Sequence, residues 1–306
     1  MRPGEQDRWL VPNGDRDSSR GPVGDRVSGL YDPRHIAAFF DAYGEQEWDR
    51  LVSTVYDRVS FEMHLRVLAR HIQPRDRVLE AGAGAGRFTI ELARLGASLT
   101  VTDISPEQIR LNEAKTRAAG AADAVEAWTV ADACDLSRYS TGTFDATVGF
   151  GGLLGYALDR RDDALEELLR VTKPGGPVLL SVISLLGAYR LFLPAVLALA
   201  AGGAAEALTE LRVTGDQVTR DVEPGGHFCH MFRWTEFEAF LREHRCEVVE
   251  ARGANFASVQ NTAALDGVWN SAPEQWKYLL DLEEDFTAEP GAIDSATHMI
   301  AVVRRG

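Results

Sequence analysis

The chain is short of cysteine, of positive charge and of long apolar runs, and each shortage removes a class of protein. Only three cysteines occur in 306 residues, Cys134, Cys229 and Cys246. They lie far apart and are odd in number, so no disulfide framework follows and a reducing compartment fits better. Lysine and arginine number 32 against 46 aspartates and glutamates, a formal net charge of −14. A field of that sign repels phosphate backbones and anionic lipid, which argues against nucleic acid or a membrane as partner. The most apolar stretch, residues 191–201, is interrupted by Pro194 and falls well short of the roughly 20 residues that span a bilayer. Residues 1–29 are rich in Arg, Asp, Gly, Pro and Ser and lack the apolar segment of a secretory signal. They are expected to form a disordered tail, and the protein to be cytoplasmic. What remains is ordinary for a globular chain: 45% hydrophobic and 25% charged residues.

Apolar residues between Tyr31 and Ile72 recur at helical spacing (Ile36, Phe39, Phe40 and Tyr43, then Val55, Val59, Met63 and Val67), which predicts two or three amphipathic helices. Pro74 ends that pattern. Short apolar runs follow at 77–81, 98–102, 125–130, 144–150 and 177–183, alternating with helical patterns at 87–95, 106–118 and 162–172. The crossover between the third and fourth runs carries no clear helix. Alternation of this kind predicts a mostly parallel sheet covered by helices on both faces. Further strands at 247–251 and 298–303 bring the count to seven. The Ala- and Leu-rich segment 185–219 reads as a helical insertion after the fifth strand.

The first strand runs into Glu80-Ala81-Gly82-Ala83-Gly84-Ala85-Gly86-Arg87. Glycines at a strand-to-helix turn allow positive φ and the close approach of a ligand. A dinucleotide fingerprint starting at Gly82 would need glycine or alanine where Arg87 stands; starting at Gly84, it would need one at Thr89. The register is instead G-x-G-x-G, with Glu80 two residues ahead of it. A carboxylate there would repel a pyrophosphate but suits a ligand carrying an ammonium and a sulfonium. No G-K-[ST] follows, so a phosphate loop is excluded. Asp103 closes the second strand, placed to accept from both hydroxyls of an adenosine ribose or, more simply, to cap the next helix. Asp132, at the third strand tip, is placed to accept from an adenine amino group.

Glu80-x-Gly82-x-Gly84-x-Gly86, Thr102-Asp103-Ile104-Ser105, Ala131-Asp132-Ala133, Phe144-Asp145-Ala146 and Lys173-Pro174-Gly175-Gly176 resemble, in order and spacing, the class I S-adenosylmethionine-dependent methyltransferases. The look is nearest the small-molecule branch that includes quinone-biosynthesis enzymes. The similarity is good over residues 75–185 and loose over 225–303. It implies a Rossmann-like α/β fold and S-adenosylmethionine as cofactor. By resemblance, Gly82, Gly84 and Gly86 would line the methionyl moiety, with Glu80 reaching its amino group directly or through water. Asp103 would hold the ribose, Ile104 would pack on adenine, and Asp132 and Ala133 would meet the adenine edge. Gly149, Phe150 and Gly151 would face the methyl group. Members that methylate DNA bases or protein amides carry an Asn/Asp-Pro-Pro-aromatic motif after the fourth strand. Here that place reads Gly149-Phe150-Gly151-Gly152, which argues against those substrates.

Methyl transfer from a sulfonium is an in-line displacement, so the protein supplies proximity, alignment and sometimes a base. Two regions outside the sheet core are expected to wall the acceptor. In the first, Tyr43 leads a run of aromatics and carboxylates and is the candidate lid residue, with cofactor and catalytic contacts. In the second, His227 and His230 are candidate general bases. His227, Cys229 and His230 do not fall on one face of a strand, so no metal is expected. The expected organisation is a tail (1–29), an N-terminal helical lid (30–73), a cofactor-binding core (74–184), an acceptor cap (185–230) and the C-terminal part of the sheet (231–306). The expected reaction is methylation of an oxygen or nitrogen of a small molecule such as a secondary metabolite. A C-methyltransferase and a non-catalytic cofactor-binding protein are the alternatives, and a homodimer is allowed.

Overall fold

The computed structural model describes residues 30–217, 228–260 and 262–306. The seven expected strands form one sheet. In chain order they are β1 (Arg77–Ala81), β2 (Ser98–Asp103), β3 (Val125–Val130), β4 (Ala146–Gly149), β5 (Val178–Ile183) and, after a separate two-residue pair β6 (Asp216–Gln217) and β7 (Cys229–His230), β8 (Cys246–Gly253) and β9 (His298–Arg305). The sheet order is β3-β2-β1-β4-β5-β9-β8. The first five strands are mutually parallel, and β9 inserts antiparallel between β5 and β8. The β6–β7 pair was not foreseen from the sequence.

Three helices precede the sheet: α1 (Pro33–Tyr43), α2 (Gln46–Arg50) and α3 (Val55–His71). Three more, α4 (Arg87–Arg94), α5 (Pro106–Ala118) and, after the short α6 (Leu153–Tyr156), α7 (Arg161–Val171), make the crossovers. As the sequence suggested, no helix of four or more residues lies between β3 and β4 among the described residues. Adjacent residues of each central strand point to opposite faces, and both faces are dry. Val78, Val101, Ile300 and Val302 pack beneath Met63 and Val67 of α3. Leu79, Leu180 and Val182 pack against Leu165 and Leu168 of α7 on the other side. Helix α3 starts at a reciprocal cap, in which Thr54 Oγ1 accepts from the Asp57 amide at 3.2 Å and Asp57 Oδ2 accepts from the Thr54 amide at 3.0 Å.

The insertion after β5 is helical, as α8 (Leu185–Leu191), α9 (Leu193–Leu199) and α10 (Ala205–Thr214). The sequence reading made its apolar run too short. Helix continues from Leu193 to Thr214, 22 residues with mean hydropathy 1.2, long and apolar enough to cross a membrane by length and composition. Gly203, at φ 100°, kinks it. The chain returns beside the sheet at Phe232, whose amide donates to the Ile183 carbonyl at 2.9 Å. Helices α11 (Trp234–Glu243), α12 (Thr262–Ser271), α13 (Pro273–Phe286) and α14 (Pro290–Ser295) complete the fold.

His230 fastens the insertion to the rest. Its side chain is 3% exposed, with Nδ1 2.6 Å from Asp216 Oδ1 and Nε2 2.7 Å from Glu236 Oε1. Carboxylates only accept, so both ring nitrogens donate and the ring is an imidazolium. Burial alone would lower the His230 pKa; the bonds to Asp216 and then Glu236 outweigh it and raise the pKa. A raised histidine pKa contributes stability that is complete below its unfolded value of about 6.5 and is lost as pH rises through the folded value. Asp216 and Glu236 are each about a third exposed, so water screens part of the gain. His230→Gln is expected to destabilise the protein by about 2 kcal/mol at pH 6. In thermal unfolding, the gap between parent and variant should shrink as pH is raised towards 9; a gap independent of pH would contradict the clamp.

Candidate active site

The carboxyl ends of β1 to β4 open into a cleft of about 1080 Å³ of empty space, part of it continuous with solvent. An open parallel sheet binds its ligands at this edge. The cleft floor is the loop from Glu80 to Gly86. Gly86 has φ 98° at the start of α4, and a Cβ there would lie 3.0–3.2 Å from Asn112, so only glycine turns the chain into the helix at this point. Asn112 Nδ2 donates to the Gly84 carbonyl at 3.1 Å and fixes the loop to α5.

Three carboxyl groups stand at adjacent strand tips. Glu80 is 2% exposed and accepts from the Thr89 hydroxyl at 2.6 Å. Burial pushes its pKa up to about 8 against that bond, and the Asp103 charge adds to the rise. Asp103 is 6% exposed. It accepts from the Gly84 amide at 2.8 Å and from the Ser105 amide at 2.9 Å. Burial raises its pKa to about 6 in spite of both bonds. The helix cap is Ser105, whose hydroxyl accepts from the Gln108 amide, so the simpler role weighed for Asp103 belongs to its neighbour. Asp132 accepts from the Tyr31 hydroxyl and the Cys134 amide, both at 2.8 Å.

Of the cofactor residues expected from sequence, Glu80, Gly82, Gly84, Gly86, Asp103, Ile104, Asp132, Ala133 and Phe150 all line this one cleft. Gly149 lies just behind, in β4, where a Cβ would point at Leu168 and Leu180. The N-terminal segment does close over the loop; Tyr43 stands outside the lining itself but near enough to Arg50 and Glu47 of the lining to feel their charges. That residue ends α1, stacked on Phe39 with centroids 5.9 Å apart, and burial pushes its phenol up to about 12. Phe40, Glu47, Trp48, Arg50 and Leu51 line the cleft instead. His230 is spent on its two carboxylates and does not reach the lining, which corrects its reading as a base. His227 lies outside the described residues.

Sequence reasoning missed Tyr31, Glu47, Arg50 and Tyr156. Tyr31 closes the Asp132 end, and its backbone amide donates to Asp159 at 2.8 Å. Tyr156 forms the far wall with Leu153 and Gly151, edge-on to Phe40 at 5.1 Å. Burial raises its pKa well above the ordinary phenol value, so at neutral pH it donates a hydrogen bond rather than taking a proton. Among the described residues, no cluster of three or more His, Cys, Asp or Glu could hold a metal ion. The polar set fits a cationic nucleoside: carboxylates at three strand tips, and a glycine loop approached by backbone.

A family profile described as a methyltransferase domain matches residues 78–176, the stretch from β1 to the turn before β5. An uncharacterised protein of Mycobacterium tuberculosis is 35% identical over 108 residues, 35% of this chain and 37% of that protein. This chain thus spans little more than a third of the length of that relative. A ubiquinone biosynthesis O-methyltransferase of Xanthomonas oryzae is 28% identical over 190 residues, 62% of this chain and 70% of that enzyme. Among solved structures, the geranyl diphosphate C-methyltransferase of Streptomyces coelicolor, in complex with S-adenosylhomocysteine, shares the fold. Its TM-score is 0.50 at 13% identity, covering 81% of this chain and 79% of that one. With this strand order, this glycine loop and these strand-tip carboxylates, residues 78–176 form a methyltransferase domain of the class I S-adenosylmethionine-dependent kind.

Proposed function

We propose that this protein transfers the methyl group of S-adenosylmethionine to an oxygen or nitrogen atom of a small molecule. One observation carries the reading: Glu80, Asp103 and Asp132 line a single cleft with the glycine loop between them. The similarity to a ubiquinone biosynthesis O-methyltransferase supports an oxygen acceptor. The walls beyond the loop support a small acceptor. They are Phe40, Phe150, Leu153 and Tyr156, mostly apolar and without the basic stripe that follows a phosphate backbone.

When bound, the cofactor supplies a sulfonium methyl open to in-line displacement. The chain's own residues do the rest. Asp103, held by two backbone amides, accepts from the ribose hydroxyls. Asp132, oriented by the Tyr31 hydroxyl and the Cys134 amide, faces the adenine edge. Glu80 has its proton held on by burial while the cleft lacks a cation, and a nearby ammonium favours its ionised form. Phe40 and Tyr156 meet across the cleft and exclude water from the reacting atoms.

Binding of S-adenosylhomocysteine, followed by calorimetry, tests the cofactor half. Asp103 binds best as an acceptor when ionised, and its pKa is about 6. Affinity is therefore expected to fall below pH 6, approaching tenfold per pH unit. Asp103→Asn should flatten that dependence and weaken binding at pH 7.5 by at least tenfold, from two charge-assisted hydrogen bonds of about 1.5–3 kcal/mol each. Unchanged affinity in the variant would remove the ribose assignment. Labelled methyl transfer to a panel of phenols, carboxylates and amines tests the reaction half. An O- or N-methylated product is expected; a product methylated on carbon, or cofactor binding with no turnover on any acceptor, would overturn it.

A further inference from the structure

The helical stretch from Leu193 to Thr214 is apolar yet stands in the open. Only 6% of its most apolar 18-residue window is buried, and Leu193 and Leu197 are 50% and 61% exposed. A core helix would be mostly buried, so this is not one. Residues 191–205 consist of Leu, Phe, Pro, Ala, Val and Gly alone, without a charged or hydrogen-bonding side chain. The charges of the helix, Glu206, Glu210 and Arg212, all follow them. The base of the insertion is held by the protein. Leu185 and Ala188 of α8 pack with Leu211, Cys229 and Met231, and Phe192 and the cleft-wall residue Tyr156 pack against that group. Of α9 itself only Val196 is buried.

A protein partner and a lipid bilayer make different demands on such a face. Interfaces between proteins carry about one hydrogen bond per 100–200 Å² and are anchored by aromatic residues and arginine. The side chains of residues 193–205 supply none of these. A second copy would also bring together two chains of net charge −14. The hydrocarbon of a bilayer requires only that backbone groups be paired internally, which a helix provides. The net charge opposes attraction to anionic lipid, but it does not oppose burial of an uncharged face in a neutral one. Length decides the depth. The uncharged residues 193–205 rise about 20 Å as helix, against about 30 Å of bilayer hydrocarbon, so they enter one leaflet and do not span. We propose that α9 and the residues after it, as far as Ala205, form a docking surface for a zwitterionic lipid bilayer, buried in its near leaflet while α8 stays on the protein. This rests on the fold and not on the cofactor or acceptor reading.

Flotation of the full chain with phosphatidylcholine vesicles tests it. The parent is expected to float with the vesicles at low and at high salt alike, because screening leaves apolar burial intact. Replacing part of the lipid by phosphatidylglycerol should not strengthen the binding. Leu193→Glu combined with Leu197→Glu is expected to lower the vesicle partition coefficient at least tenfold. Both side chains are exposed, so the thermal transition of the variant should match that of the parent and show that it is folded. Should the double variant lose its transition, Leu197→Ser takes its place, with a loss of about threefold expected. A parent left in the soluble fraction, a folded variant that floats as well as the parent, or flotation that needs the anionic lipid would each overturn the proposal. So would light scattering that shows a dimer split by the same substitutions, with no flotation, which would give the face to a second copy.

Discussion

Burying several carboxyl groups side by side is the constraint on which this structure turns. Glu80 and Asp103 are almost fully out of water at neighbouring strand tips, and each raises the cost of ionising a neighbour. The fold meets that cost locally, with Thr89 on Glu80 and the amides of Gly84 and Ser105 on Asp103. Those bonds do not cancel it, since both pKa values stay well above the ordinary range. A cleft of this kind discriminates by charge. A pyrophosphate would keep Glu80 protonated and would meet the Asp103 carboxylate, while a nucleoside with a sulfonium and an ammonium favours the ionised form of both. The glycine register and the carboxylates are thus two parts of one specificity.

The sheet and the cofactor floor were legible because their signals are local. Alternating apolar runs gave all seven strands, and the spacing of Gly82, Gly84 and Gly86 after Glu80 distinguished this loop from a dinucleotide turn. Asp103 and Asp132 were legible for the same reason: each is the residue at which a strand ends. The roof was not. Glu47 reaches Gly84 and Tyr31 reaches Asp132 across separations that leave no periodic mark, and the run of aromatics and carboxylates after Tyr43 marked a lid without marking Glu47 as the residue that meets the loop. His230 shows the opposite failure. Its sequence surroundings invite a base, but what decides its role is two carboxylates, Asp216 and Glu236, brought to it from different elements. The apolar run of the insertion was read as too short because Pro194 looked like an interruption, whereas it falls at the start of α9, where proline is compatible with a helix.

The N-terminal helices and the insertion meet over the sheet. Phe40 of α1 touches Tyr156 of α6, and Tyr156 in turn packs against the cluster of Leu185, Ala188, Leu211 and Met231 from the insertion and its return. The N-terminal helices and the insertion therefore share a wall over the end of β4. A second aromatic contact joins them where His35 of α1 lies edge-on to Phe228, with centroids 4.6 Å apart. The His230 clamp, at the base of the insertion, holds that wall in register with the sheet.

The central claim is that the three strand-tip carboxyls read a sulfonium nucleoside. A crystal structure of the protein with S-adenosylhomocysteine tests it most directly. The account predicts both ribose hydroxyls within hydrogen-bond distance of Asp103 and the adenine between Ile104 and Asp132. A nucleoside seated elsewhere, or with its ribose turned away from Asp103, would contradict it.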